Sequence, residues 1–488
     1  MQTAENIRRV IYAAAMLASA CTGTAESLTD YQLEGESESD AGLEVAPTTQ
    51  ALTGVVSTSS CTANEQRVAQ LAVDAGRFIA VSKGFSQCLT KVMTSGGSVR
   101  HFGAAVTAGP YAAYSGDPWG SSALSTQIAK ALYAAQSTSD LSITCGGGGE
   151  SNVIGSAQIG SWSESRESDE SMTAKAGWGN TVAADDLTSN TTAKFYQDTR
   201  QKVAGTIWHE AMHQWGYSHG GGSFTSSFLK TVPYIVGDCM EAVMQRSASC
   251  TNTCPAGTRP VRHFNDTSCD CVDDPQFDVG VILDGGATCP TMTGRSGPRT
   301  VSLYMDDEDD GNKSGASGWI GQTVSSDNTT WKFCTVAGSK FKRLKVTTAS
   351  STAPKNYAVA RMGASCPAGA VSMYRYFDNE DSKNNNSSVG HVPPHRSRNS
   401  YTQLELCMFK ETTGTTASST APFPSLGVSY GLFAPANMPG ALSTGYVRSD
   451  DEDSDGNNSL GGTYLGSNVF IDSTSDRDST KMFTARVK

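Results

Sequence analysis

No apolar run long enough to cross a bilayer occurs in this chain. The leading candidate, Val10–Ala20, has eleven residues, whereas a helix spanning the hydrocarbon core needs about twenty. Basic residues are scarce as well: 37 Lys and Arg stand against 48 Asp and Glu, a net charge of −11. No cationic patch interrupts that balance, which excludes a nucleic-acid partner, because phosphate binding relies on clustered Lys and Arg. Charged residues make up only 17% against 38% hydrophobic, so large-scale disorder is not indicated. Abundant Gly, Ser and Thr favour β-rich, loop-rich extracellular material over a helical bundle. At 488 residues the chain exceeds one ordinary core, and two or three folded units with linkers are expected.

What is present begins with an export signal over 1–21: Arg8 and Arg9 precede the short apolar run, which ends in small residues. Its end, Leu17-Ala18-Ser19-Ala20-Cys21, resembles a bacterial lipobox, which makes Cys21 the candidate lipid attachment and membrane anchor. Ala18-x-Ala20 equally fits ordinary signal cleavage and plain secretion. Setting Cys21 aside leaves twelve of thirteen cysteines, an even number that reads as up to six disulfides in an oxidising, extracellular or cell-envelope setting. Residues 22–60 hold seven acidic residues and no Lys or Arg, the composition of a tether that cannot bury a core.

Organised sequence starts at Cys61. Val68, Leu71, Ala75, Phe78 and Ile79 recur at helical spacing in a segment closed by Cys88, predicting one amphipathic helix. A second helical pattern covers about 122–136, Leu141 to Thr144 reads as a strand, and 192–215 is helical again. Cys250, Cys254, Cys269 and Cys271 crowd a short Pro/Asn/Asp-rich stretch. A structural zinc and disulfides both fit that cluster, the exported context favouring disulfides.

The helix at 192–215 carries the chemistry. Residues 209–219 read HEAMHQWGYSH, which fits H-E-x-x-H-x-x-G-x-x-H at every specified position and holds three of the seven histidines. His209 and His213, four apart on a helix, project from one face and can reach one Zn2+. Glu210 is placed to take a proton from a water that the metal activates. Gly216 permits the positive φ that lets the chain turn back and bring up His219 as third ligand. The motif resembles that of the metzincin clan of zinc metallopeptidases. The resemblance implies an α+β metzincin-like catalytic domain over 61–275, zinc as cofactor, protein or peptide substrates, His209, His213 and His219 as ligands and Glu210 as general base. It also implies a methionine in a tight turn beneath the metal, for which Met240 and Met244 are the candidates, and allows Tyr234 as transition-state stabiliser; a core tyrosine is the competing reading of Tyr234. A rival ligand set takes Glu241 in place of His219.

The remainder, 278–488, repeats. Glu308, Glu380 and Glu452 stand 72 residues apart, each within D-x-E-D, predicting three tandem β repeats. Cys289 and Cys334 flank the first acidic segment and Cys366 and Cys407 the second, while the third has Met438 and Lys481 near those places. Joint loss of both cysteines predicts one disulfide within each of the first two copies. Carboxylate and amide oxygens in the acidic segments suit Ca2+ about as well as they suit a solvated turn. The fold class expected is therefore an α+β metzincin-like catalytic domain followed by a β-rich triple-repeat region. The function expected is that of a secreted zinc metalloendopeptidase whose repeats bind an unidentified ligand. The alternative is a surface binding or adhesion protein with a vestigial peptidase domain.

Overall fold

The computed structural model describes residues 57–59, 61, 63–94, 128–129, 131–132, 135–136, 141–145, 155–157, 170–174, 201, 203–212 and 231–488. Within the last range 298, 308–312, 347–355, 380–384, 390–395, 398–400, 414–422, 437, 439, 452–457, 463–469 and 473–478 are excepted. The export signal, Cys21 and the tether lie outside the described residues. No described helix is long and apolar enough to cross a membrane.

The helical pattern after Cys61 forms two helices rather than one, α1 (Ala63–Ala80) and α2 (Lys83–Thr94). Ser82 causes the break: its hydroxyl donates to Ile79 O at 2.7 Å, closing α1, and accepts from Phe85 N at 3.2 Å, capping α2. Phe85, Cys88 and Leu89 then face inward at helical spacing. A helical stretch over 203–212, α3, buries Val203, Ala204, Ile207, Trp208, Ala211 and Met212. In α4 (Val232–Ser247), Pro233 occupies the first turn, where no amide donor is needed. A Cys88–Cys239 disulfide staples α2 to α4. Short strands β1 (Ser57–Ser59), β2 (Leu141–Cys145), β3 (Gly155–Ala157) and β4 (Glu170–Ala174) make a sheet of order β1-β2-β4-β3, with β3 antiparallel and the rest parallel. The clustered cysteines are disulfides, Cys250–Cys269 and Cys254–Cys271, holding the hairpin β5 (Thr258–Arg262) and β6 (Cys269–Asp273).

From Asp278 onward three copies of four main strands follow. They are β7 (Asp278–Leu283), β8 (Thr300–Met305), β9 (Gly315–Gly318) and β10 (Thr329–Ala337); β11 (Tyr357–Arg361), β12 (Ala370–Asp378), β13 (Ser387–Val389) and β14 (Tyr401–Phe409); and β15 (Tyr430–Phe433), β16 (Ser443–Asp450), β17 (Ser459–Gly462) and β18 (Ser479–Val487). With shorter strands they form one fifteen-stranded, antiparallel network. The first strands pair cyclically, Gly280 with Ala360, Ala358 with Phe433 and Gly431 with Ile282, and are almost wholly buried. Each third strand leaves its own copy: β13 pairs with β8, β17 with β12 and β9 with β16. The result is three four-stranded sheets in a closed ring, each completed by a strand from another copy.

The disulfides Cys289–Cys334 and Cys366–Cys407 lie within the first two copies. Register corrects the third: Ala485, opposite Leu432, occupies the place of Cys334 opposite Val281 and Cys407 opposite Val359. Ala485 and Met438, not Lys481, replace the bridge, and both are buried in one cluster.

The expected α+β metzincin-like class is overturned. The described chain is mostly β, and its largest element is the antiparallel ring rather than a catalytic α+β sheet. The physical reason is that an eleven-residue motif fixes ligand spacing on one helix and dictates nothing of the surrounding fold.

The ring is tied to the helices. Between β7 and β8 the chain reaches back to the α1–α2 elbow, where Arg295 bridges Ser82, Lys83 N donates to Gly294 O at 2.9 Å and Ser296 N donates to Val81 O at 2.8 Å. Gln136 Nε2 donates to Ser296 O at 3.2 Å from the other side.

Candidate metal and peptidase site

Packing of α3 against α4 sets the site. A Cβ on Gly237 would stand 2.7 Å from Gly205 O and 3.3 Å from His209 Cβ, and one on Gly205 would stand 3.0 Å from Gly237 O. Two facing glycines thus let the helix backbones touch, as side chains would not. An adjoining flank of α3 is fixed by Trp208, whose indole lies where a Cβ on Gly76 of α1 would be, 1.9 Å from Nε1.

This approach brings Tyr234 to His209: the rings meet edge to face, centroids 4.4 Å apart and planes at 83°. Glu210, 6% exposed, is close enough for its charge to act on Tyr234. Burial first, then the carboxylates of Glu210 and Asp238, hold the Tyr234 hydroxyl far above the usual phenol range, so it remains a proton-bearing donor. His209 is half-buried. His213, Gly216 and His219 lie outside the described residues, and among the described residues no three His, Cys, Asp or Glu side chains gather as a metal site. The described partners fit zinc chemistry: an imidazole, a sheltered carboxylate beside it and a neutral phenol.

Glu241 is placed elsewhere. It flanks Gly205, its Oε2 3.6 Å from the Cβ position there, one helical turn before His209. Tyr234 is the α4 residue whose ring meets His209. Met240 is fully buried inside α4 and Met244 nearly so. A tight turn cannot form at either within that helix, so the expected methionine turn has no counterpart at these residues.

The acidic segments have a structural base. Asp306 N donates to Asn386 Oδ1 at 2.7 Å and Asn385 N donates to Asp306 Oδ2 at 2.7 Å. Asp378 N donates to Asn458 Oδ1 at 3.0 Å, and Asp450 N to Ser314 Oγ at 2.9 Å. Each acidic residue therefore grips the chain leading into the exchanged strand of another copy. The next residues, Asp307, Asn379 and Asp451, are fully buried; Thr329 and Thr480 hydroxyls donate to Asp307 and Asp451, each at 2.6 Å. Sequence reading missed this clasp, although the triplicated Asp followed by Asp or Asn was its signal. The turn tips expected to hold Ca2+ lie outside the described residues.

Five disulfides among the described residues mark a chain that folds in an oxidising setting. No curated protein and no solved structure matches the chain. The family described as bacterial ApeC matches residues 273–405, which span the first β copy and most of the second.

Proposed function

We propose that this chain is an exported zinc-dependent peptidase that hydrolyses peptide bonds of extracellular proteins. The observation carrying this reading is the meeting of His209 and Glu210 with Tyr234, from a second helix, inside a sequence with complete zinc-ligand spacing. His209, His213 and His219 would hold the ion and leave a coordination position open. Zinc, when bound, supplies Lewis acidity toward water and the scissile carbonyl. Glu210 accepts the proton of the attacking water and passes it to the leaving amine, so its carboxylate returns unchanged. Tyr234 donates a hydrogen bond to the carbonyl oxygen as negative charge builds there.

The test is zinc content and casein cleavage by the purified chain, with reversible loss on chelation. A folded protein that neither retains zinc nor cleaves casein ends this reading. Export by the 1–21 signal, with lipid on Cys21, belongs to the same proposal, and Cys21→Ser should release a membrane-associated protein. A second reading, a surface binding protein whose repeats carry the function and whose acidic turns take Ca2+, is favoured by the family match lying wholly within 273–405. Calcium-dependent retention on cells with no proteolysis would select it.

A further inference from the structure

Beside α3, the helices and the first two β copies enclose a cleft with room of about 40 Å3. That space suits a few waters, each needing roughly 10–15 Å3, or one small ion. Arg77 and Trp208 line it from the helical side, and Asp278, Arg295 and Arg299 from the β side. Three guanidinium groups line the cleft beside the Asp278 carboxylate, and the charge of Arg77 also acts on Asp74 and Asp274.

Their partners are unequal. Arg295 pairs with Asp278 and also donates to Asp273 O at 3.1 Å. Arg77 pairs with Asp74 at 3.8 Å, and its charge reaches Asp274 as well. Arg299 donates to the Pro290 carbonyl, and among the described residues no carboxylate stands within ion-pair distance of it. Burial and the like charge of Arg295 pull its proton affinity down. Trp208, 1% exposed, has an indole N–H without an acceptor among the described residues, a costly state for a buried donor.

We infer that this cleft binds a small oxyanion of phosphate or sulfate size, held by the Arg299 guanidinium and the Trp208 N–H. Planar guanidinium forks match such oxygens in bidentate fashion. Because its donors come from both sides of the junction, the anion clamps the ring to the helix that carries His209 and Glu210. The inference does not depend on the peptidase reading.

Thermal unfolding of the full chain is measured against added phosphate and sulfate, with chloride holding ionic strength constant. A saturable rise in melting temperature of a few degrees is expected. Arg299→Gln should raise the half-saturating concentration at least tenfold and Trp208→Phe should raise it less, while Arg343→Gln, outside the cleft lining and donating to Gly369 O, leaves it unchanged. If Arg299→Gln does not fold, Arg299→Lys, which keeps the charge and loses the fork, should show the same weakening. No rise beyond chloride, or a rise that the Arg299 variant leaves intact, overturns the site.

Discussion

His209 and Tyr234 touch edge to face across two helices, at a centroid separation of 4.4 Å, because Gly205 and Gly237 remove the side chains that would hold those helices apart. The ring contact and the hydroxyl are therefore separable. Tyr234→Phe keeps the first and deletes the second, so kcat should fall by about 10- to 1,000-fold with KM nearly unchanged. An unaltered kcat would return Tyr234 to a packing role.

Glu210→Gln preserves shape and burial but cannot accept a proton. Zinc content should stay at the parent level while hydrolysis falls by about 100-fold or more. Parent activity in this variant would exclude Glu210 as the base.

Gly76→Ala drives a methyl into the Trp208 indole. Overpacking of this kind costs about 1–3 kcal/mol, and the displaced α3 should also bind zinc less tightly. Equal melting temperatures for variant and parent would show that Trp208 is free to move.

Replacing Cys366 and Cys407 together by Ala should cost about 2–4 kcal/mol, read from denaturant unfolding. The third copy, with Met438 and Ala485 buried at the matching place, shows that an apolar pair fits there. Restoring volume with Cys366→Met and Cys407→Ala should recover part of the loss; no recovery would mean that the covalent link alone matters.

Burial raises the Asp307 carboxyl well above the usual range, against the hydroxyls of Thr329 and Ser314 and with help from Asp451 and Asp450. A raised folded pKa gives stability that is full below about pH 4 and is lost as pH climbs through the folded value. Asp307→Asn should flatten that decline and match or exceed the parent at pH 7.5, since the second copy already carries Asn379 in the same place. Asp451 differs because it faces the buried Arg375 at 3.7 Å, and its removal would strand that cation. A marked loss of stability at pH 7.5 in Asp307→Asn would mean that the carboxylate is ionised and needed.

Local signals in the sequence were readable where one element decides them. The 72-residue spacing gave the copies, and the paired absence of cysteines in the third gave both intra-copy disulfides. The spacing of Val68 to Ile79 located α1 but concealed its end, because Ser82 stops the helix through hydroxyl bonds that leave the apolar period intact. The edge contact of Tyr234 depends on two glycines 32 positions apart, and no periodicity reports such an approach. The strand exchange was equally hidden: Gly315–Gly318 carries almost no side-chain pattern, and its partner lies in the last copy. The metzincin-like fold was inferred from ligand spacing alone, which leaves the architecture around it free.

The circular hand-over of third strands fixes how many copies this chain can have. With two copies, the pairing of β9 with β16 would have no partner, and a fourth copy would have to break a closed set of first strands in order to enter. Units of this kind cannot be added or trimmed singly, as stacked solenoid repeats can. The arrangement also sets an order in time: the last sheet needs a strand from the first copy, so the ring cannot close until nearly the whole polypeptide has been made.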